Sequence, residues 1–114
     1  ETGFACDIQG RKETNDGNEK KIVAIRCEMD ALPIQESNEA LAYRSEHANV
    51  SHACGHDGHM VTIIGVAILF VKKLDQIPNN VTIRLLFQPA EEVDTGAKTM
   101  IAQGALEGVN EIYA

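Results

Sequence analysis

The chain has 114 residues, 44% of them apolar, with 4% aromatic and no Trp. That length suits one small domain, and a core so poor in rings suits an aliphatic α/β fold better than an all-β sandwich. A formal net charge of −7 argues against nucleic acid as a partner, because phosphate binding needs clustered Lys and Arg.

In chain order, Phe4 to Gln9 reads as a strand, followed by the polar turn Asn15-Asp16-Gly17-Asn18. Lys21 to Cys27 is a β-rich run that ends in Glu28-Met29-Asp30. Ser51-His52-Ala53-Cys54-Gly55-His56-Asp57-Gly58-His59 is a glycine-punctuated turn, and an apolar run from Met60 to Val71 begins directly after it. That run is too short to cross a bilayer, which takes about 20 residues. It is apolar on nearly every side, the pattern of a helix buried in a larger body. Lys72 and Lys73 follow at the negative end of the helix dipole, and Pro78 closes the element. Asn80 to Phe87 is a second β-rich run, ending in Gln88-Pro89-Ala90-Glu91-Glu92. A helix from about Thr95 to Gln103 and a strand starting near Asn110 complete the chain. A strand, a helix and a second strand in this order predict a βαβ unit with parallel strands, hence an α/β fold.

The Ser51–His59 turn concentrates three histidines, a cysteine and an aspartate, all able to bind or orient a divalent metal. A solvated cluster without a metal and a structural zinc site are the plainer readings. Structural zinc normally takes paired Cys/His ligands. Here Cys54 and His56 are one residue apart, while Cys6 and Cys27 are isolated. A mixed Cys, His and carboxylate set suits a catalytic ion better. In open parallel sheets, ligands bind beyond the carboxyl ends of the strands. Asp30 lies just past one strand, Glu91 and Glu92 just past another, and the Cys54–His59 turn opens the helix between them. Three remote segments thus converge on one sheet edge. Adjacent glutamates on extended backbone diverge, so one of the Glu91-Glu92 pair can ligate while the other faces the reacting water. Taken alone, the same pair reads as acidic residues at a helix N-terminus. Three widely spaced cysteines predict no disulfide framework, and a reducing, cytoplasmic setting is the default.

Glu28-Met29-Asp30-Ala31-Leu32-Pro33-Ile34, His52-Ala53-Cys54-Gly55-His56-Asp57-Gly58-His59-Met60 and Phe87-Gln88-Pro89-Ala90-Glu91-Glu92 resemble three signature blocks of the metallo-amidohydrolases. That family includes hippurate hydrolase, N-acyl-amino-acid amidohydrolases and auxin–amino-acid conjugate hydrolases, within the aminoacylase and carboxypeptidase-like zinc peptidase superfamily. The resemblance runs along the whole chain. It implies a three-layer, mostly parallel sheet with flanking helices. It implies one or two divalent ions, zinc, manganese or cobalt, with Cys54 as a thiolate ligand able to bridge two metals and His56 and Glu92 as further ligands. Glu91 would be the general base, Asp30 would orient a ligand, and Asp57 and His59 would have supporting duties. The implied reaction is hydrolysis of an amide in small N-acyl amino acids or dipeptide-like conjugates, with no membrane partner.

The resemblance also implies a longer polypeptide. The family carries further histidine ligands beyond the strand near Asn110, and a lid domain through which the full-length protein forms a homodimer. Residues 1–114 therefore read as the N-terminal portion of a catalytic domain without its lid. The alternative is a non-catalytic, hydrolase-like piece that binds or braces a larger assembly. The joint presence of Cys54, His56, Glu91 and Glu92 favours the hydrolase.

Overall fold

The computed structural model of the chain describes residues 3–14, 19–93 and 95–114. The Asn15–Asn18 turn lies outside the described residues. Four strands form one sheet: β1 (Phe4–Gln9), β2 (Lys21–Glu28), β3 (Val81–Gln88) and β4 (Val109–Tyr113). Their spatial order is β1-β3-β2-β4. β2 runs parallel to both β3 and β4, while β1 lies antiparallel to β3 along its whole length. So β1 makes no hairpin with β2, its neighbour in sequence, and the sheet is mostly parallel as expected.

Two helices flank the sheet, α1 (His56–Lys72) and α2 (Gly96–Ala102), with a short 3-10 turn at Leu74–Gln76 after α1. Successive strand side chains point to opposite faces. On one face Cys27, Ile83, Leu85 and Phe87 pack with Ile63 of α1, and Met60, Ala67 and Phe70 close the same stripe. Those four helix positions recur every three or four residues, as one face of an α-helix requires. On the other face, Leu86 of β3 lies beside Met100 and Ile101 of α2 and Leu106 beyond it, across a cavity of about 260 Å³. Helix, sheet and helix make the three layers.

The reading of α1 as apolar on nearly every side meets an asymmetric environment. Its sheet-facing stripe is covered, yet Val61, Ile64, Ile68, Leu69 and Val71 stand 50–69% exposed, with Ile64, Ile68 and Val71 bordering an open apolar groove beside Phe4 and Cys6 of β1. No helix among the described residues is long and apolar enough to cross a membrane.

Arg84 ties the sheet together across its width. Its guanidinium donates from Nε and Nη2 to the two oxygens of Asp7 on β1, at 2.8 and 2.9 Å. Nη1 donates to the carbonyls of Ala105 and Glu107 in the α2–β4 connection, at 3.1 and 3.0 Å. The planar fork of Arg is suited to this paired recognition.

Candidate metal centre

The long connection from residue 29 to 55 delivers the turn that carries Cys54 and His56. Leu32 and Ser51 exchange backbone hydrogen bonds at 3.0 and 3.1 Å, and the buried Ser51 hydroxyl donates to the Ile34 carbonyl at 2.8 Å. This clamp folds the connection back on itself, so that Cys54 arrives close to the end of β2. Gly55 then takes φ 90°, a left-handed conformation that favours glycine, and α1 starts at His56. A turn of this kind sends Cys54 and His56 toward one spot even though one residue separates them.

The other wall comes from the segment after β3. Ala90 has φ 52°, unusual for a residue with a side chain, and its carbonyl accepts from Gly96 N–H at 3.2 Å. Gly96 passes so close to Pro89 that an added Cβ would lie 1.6 Å from the Pro89 carbonyl oxygen. The chain therefore reverses tightly through residues 91–93. Because this is a turn and not extended backbone, Glu91 and Glu92 do not diverge as the sequence suggests. Their carboxylates lie 3.9 and 3.8 Å from His56 Nε2. Nor does the pair sit in a helix first turn, since α2 begins only at Gly96.

Cys54, His56 and Glu92 each offer a ligand atom, and those atoms all lie within 4.8 Å of one another. His56 is buried, and its Nδ1 lies 2.9 Å from the Asp30 carbonyl oxygen. A carbonyl only accepts, so Nδ1 carries the hydrogen and Nε2 keeps its lone pair. That lone pair faces two carboxylates, an arrangement that a cation between them relieves. The donor set thus fits a divalent ion, with sulfur, nitrogen and oxygen in reach.

Asp30 holds the two walls together. Its Oδ2 accepts the Glu92 backbone N–H at 3.1 Å, while Oδ1 is buried, has no hydrogen-bond partner and lies 3.2 Å from His56 Nδ1. Burial raises the Asp30 carboxyl, but the backbone N–H groups of Glu92, Asp30 and Glu91, with His56, outweigh it and hold the group below its ordinary value. The thiol of Cys54 moves the other way. Its hydrogen bond with Glu92, together with the charges of Glu92, Glu91 and Glu28, holds it above the usual cysteine range. A bound cation inverts this logic, because it favours the thiolate.

His59 Nδ1 meets Glu28 Oε2 at 2.8 Å, and its ring lies tilted beside that of His56, 5.8 Å between centroids. Asp57 is set apart from the cluster, exposed in the first turn of α1, where a negative charge suits the positive helix end. Glu28 carries no assigned role in the sequence reading. The only signal for it is its place two residues before Asp30 at the same strand end.

Residues 24–114 match peptidase family M20/M25/M40. The chain belongs to this family. It is 40% identical to an N-acetyl-L-cysteine deacetylase of Bacillus subtilis over 111 residues, covering 97% of this chain and 24% of that protein. It is 45% identical to an N-acyl-L-amino acid amidohydrolase of Geobacillus stearothermophilus over 93 residues, covering 81% of this chain and 24% of that protein. Among solved structures, a Bacillus subtilis protein described as a dinuclear metal-binding peptidase of the M20 family superposes with a TM-score of 0.84 at 39% identity. The alignment covers 96% of this chain and 28% of that one. The chain thus spans about a quarter of the length of the relatives it matches. Its four-stranded sheet with flanking helices is part of the M20 catalytic-domain fold.

Proposed function

We propose that this chain is the N-terminal, metal-binding portion of the catalytic domain of an amidohydrolase, with the lid domain lying outside it. Its substrates are small N-acyl amino acids or dipeptide-like conjugates. The single observation that carries the reading is the convergence of Cys54, His56 and Glu92 within 4.8 Å, with Glu91 beside them. The activities named for the M20 relatives, deacetylation of N-acetyl-L-cysteine and amide hydrolysis of N-acyl-L-amino acids, support the same substrate class.

Cys54, His56 and Glu92 would hold one or two divalent ions of zinc, manganese or cobalt, and a mixed donor set is compatible with each. When bound, such an ion supplies Lewis acidity, polarising the amide carbonyl and making a water molecule easier to deprotonate. Glu91 is the base: its carboxylate, 40% exposed, takes a proton from the attacking water and delivers it to the departing amine nitrogen. Asp30 positions both walls, through His56 and through the Glu92 backbone. Asp57 favours the start of α1 that presents His56, and His59 supports the neighbouring ring. The complete protein forms a homodimer through its lid and acts without nucleic acid or membrane.

Elemental analysis and an N-acyl-amino-acid hydrolysis assay on the complete protein test this reading. Metal and activity are both expected in the parent and absent from a Cys54→Ala, His56→Ala double variant. Unchanged metal content in that variant would sink the ligand assignment. Metal binding without hydrolysis in the parent would favour the non-catalytic alternative.

A further inference from the structure

The end of β2 holds a second polar chain that the metal ligands do not use. Arg26 and Glu28 lie two residues apart on β2, and the strand register sets Glu28 opposite Gln88 of β3. Arg26 Nε donates to Gln88 Oε1 at 2.9 Å, and Arg26 Nη1 donates to Glu28 Oε1. The other oxygen of Glu28 accepts from His59 Nδ1 at 2.8 Å. Arg26 and Glu28 are largely withdrawn from solvent, at 22% and 15% side-chain exposure, whereas His59 is 55% exposed.

Both oxygens of Glu28 are therefore committed, which removes the rotational freedom that a long carboxylate otherwise has. A carboxylate held on one side by a guanidinium and on the other by an imidazole N–H is a stiff bracket. It also selects one form of the ring. Ionised Glu28 only accepts, so in the neutral ring Nδ1 carries the hydrogen and Nε2 bears the lone pair. His56 is held in the same sense by the Asp30 carbonyl. The end of β2 thus orients two neighbouring imidazoles through Nδ1 and leaves both Nε2 atoms as acceptors.

We propose that Glu28, gripped by Arg26, is a positioning residue that sets the tautomer and orientation of His59 beside His56. His59 then offers Nε2 as a fixed acceptor for an N–H donor of the substrate at the half-exposed rim of the centre. The substrate part of this inference rests on the amidohydrolase reading above, but the positioning of His59 does not.

Two measurements on the complete, zinc-loaded protein separate these parts. The first is ¹⁵N NMR of the histidine rings at about pH 8.5, above the ordinary histidine range. His59 is expected as the Nδ1–H tautomer in the parent and is expected to lose that preference in Glu28→Gln. An Nε2–H tautomer in the parent overturns the proposal without any substitution. The second is hydrolysis of an N-acyl amino acid. Glu28→Gln is expected to lower kcat by about 10- to 100-fold with metal content unchanged, the usual scale for a group that orients its neighbours. Glu28→Asp is expected to restore part of the rate. If Glu28 acts through His59, the Glu28→Gln, His59→Ala double variant is no slower than His59→Ala alone. Full kcat in Glu28→Gln, or losses that multiply in the double variant, would overturn the catalytic consequence. If the parent hydrolyses no N-acyl amino acid, the amidohydrolase reading fails, and the ring tautomer still decides the role of Glu28.

Discussion

The carboxyl edge of the sheet and the outer face of α1 are built on opposite principles. At the edge, hydrogen bonds join Asp30 to His56 and Glu92 and join Glu28 to His59, and the Glu91 and Glu92 carboxylates close on His56 from a third segment. On the solvent side of α1, Val61, Ile64, Ile68, Leu69 and Val71 stand exposed, and the apolar groove that Ile64, Ile68 and Val71 share with Phe4 and Cys6 of β1 is left open by the described residues. Polar groups need directional partners, so the edge is organised within this chain. Apolar groups need only covering mass, and a contiguous bare patch marks a surface made for contact. The chain thus contains much of the chemistry of its site but little of the packing that would enclose it.

The largest effect that tests this contrast lies at the edge. Glu91→Gln in the complete protein is expected to slow hydrolysis by about 10²–10⁴-fold while keeping the metal, as loss of a general base does. Glu92→Gln is expected to lower metal occupancy instead. Near-normal turnover of Glu91→Gln would remove the base from the edge and leave only a binding cluster.

A smaller effect probes how the edge is shaped. Gly96→Ala places a methyl group against the Pro89 carbonyl and must push the Glu91-Glu92 turn away from His56. A stability loss of about 1–3 kcal/mol is expected, the usual cost of overpacking, measurable by thermal or urea unfolding. Metal affinity should fall with it. A stable variant with unaltered metal binding would show that the close Gly96 approach does not shape the centre.

The outer face of α1 gives the next contrast. Residues 1–114 produced alone are expected to be inactive and to self-associate in sedimentation. Val61→Glu with Leu69→Lys, the two most exposed apolar residues of α1, is expected to suppress that association while changing the stability of the piece by less than about 0.5 kcal/mol, as for ordinary surface substitutions. A monodisperse, cooperatively folding parent piece would mean that the bare face needs no cover.

The smallest effect is set by pH. Arg84 holds the Asp7 carboxyl below its ordinary value of 3.8, chiefly through their hydrogen bonds. A lowered folded value means that the stabilisation is complete above the unfolded value and is lost as pH falls through the folded one. The melting temperature is therefore expected to hold from neutral pH to about 5 and to drop below about 4, with a shallower drop in Asp7→Asn. Asp7 is 44% exposed, so the pair contributes at most about 1 kcal/mol. An unchanged acid limb in Asp7→Asn would assign the loss to the carboxylates at the sheet edge.

Local patterns made much of this legible. Each β-rich run is a strand within a residue of its expected ends, and the apolar run after the histidine turn is helical. The convergence of Cys54, His56 and Glu92 was legible because a short, glycine-punctuated block opens the helix between two parallel strands, and a parallel sheet gathers its strand ends at one edge. The elements, the clustering of metal-ligating residue types and the shared edge follow from the sequence alone, because those depend on short-range pattern and handed connectivity.

Which groups meet is a matter of tertiary structure. The pairing of β1 with β3, the fork of Arg84 on Asp7, and the chain from Gln88 through Arg26 and Glu28 to His59 join residues far apart in sequence. The approach of both Glu91 and Glu92 to His56 likewise depends on Ala90 and Gly96 turning the backbone away from an extended path. Strand register and backbone reversal are global properties. A shift of one residue sends every side chain to the opposite face, so contacts of this kind are settled only when the whole sheet has formed.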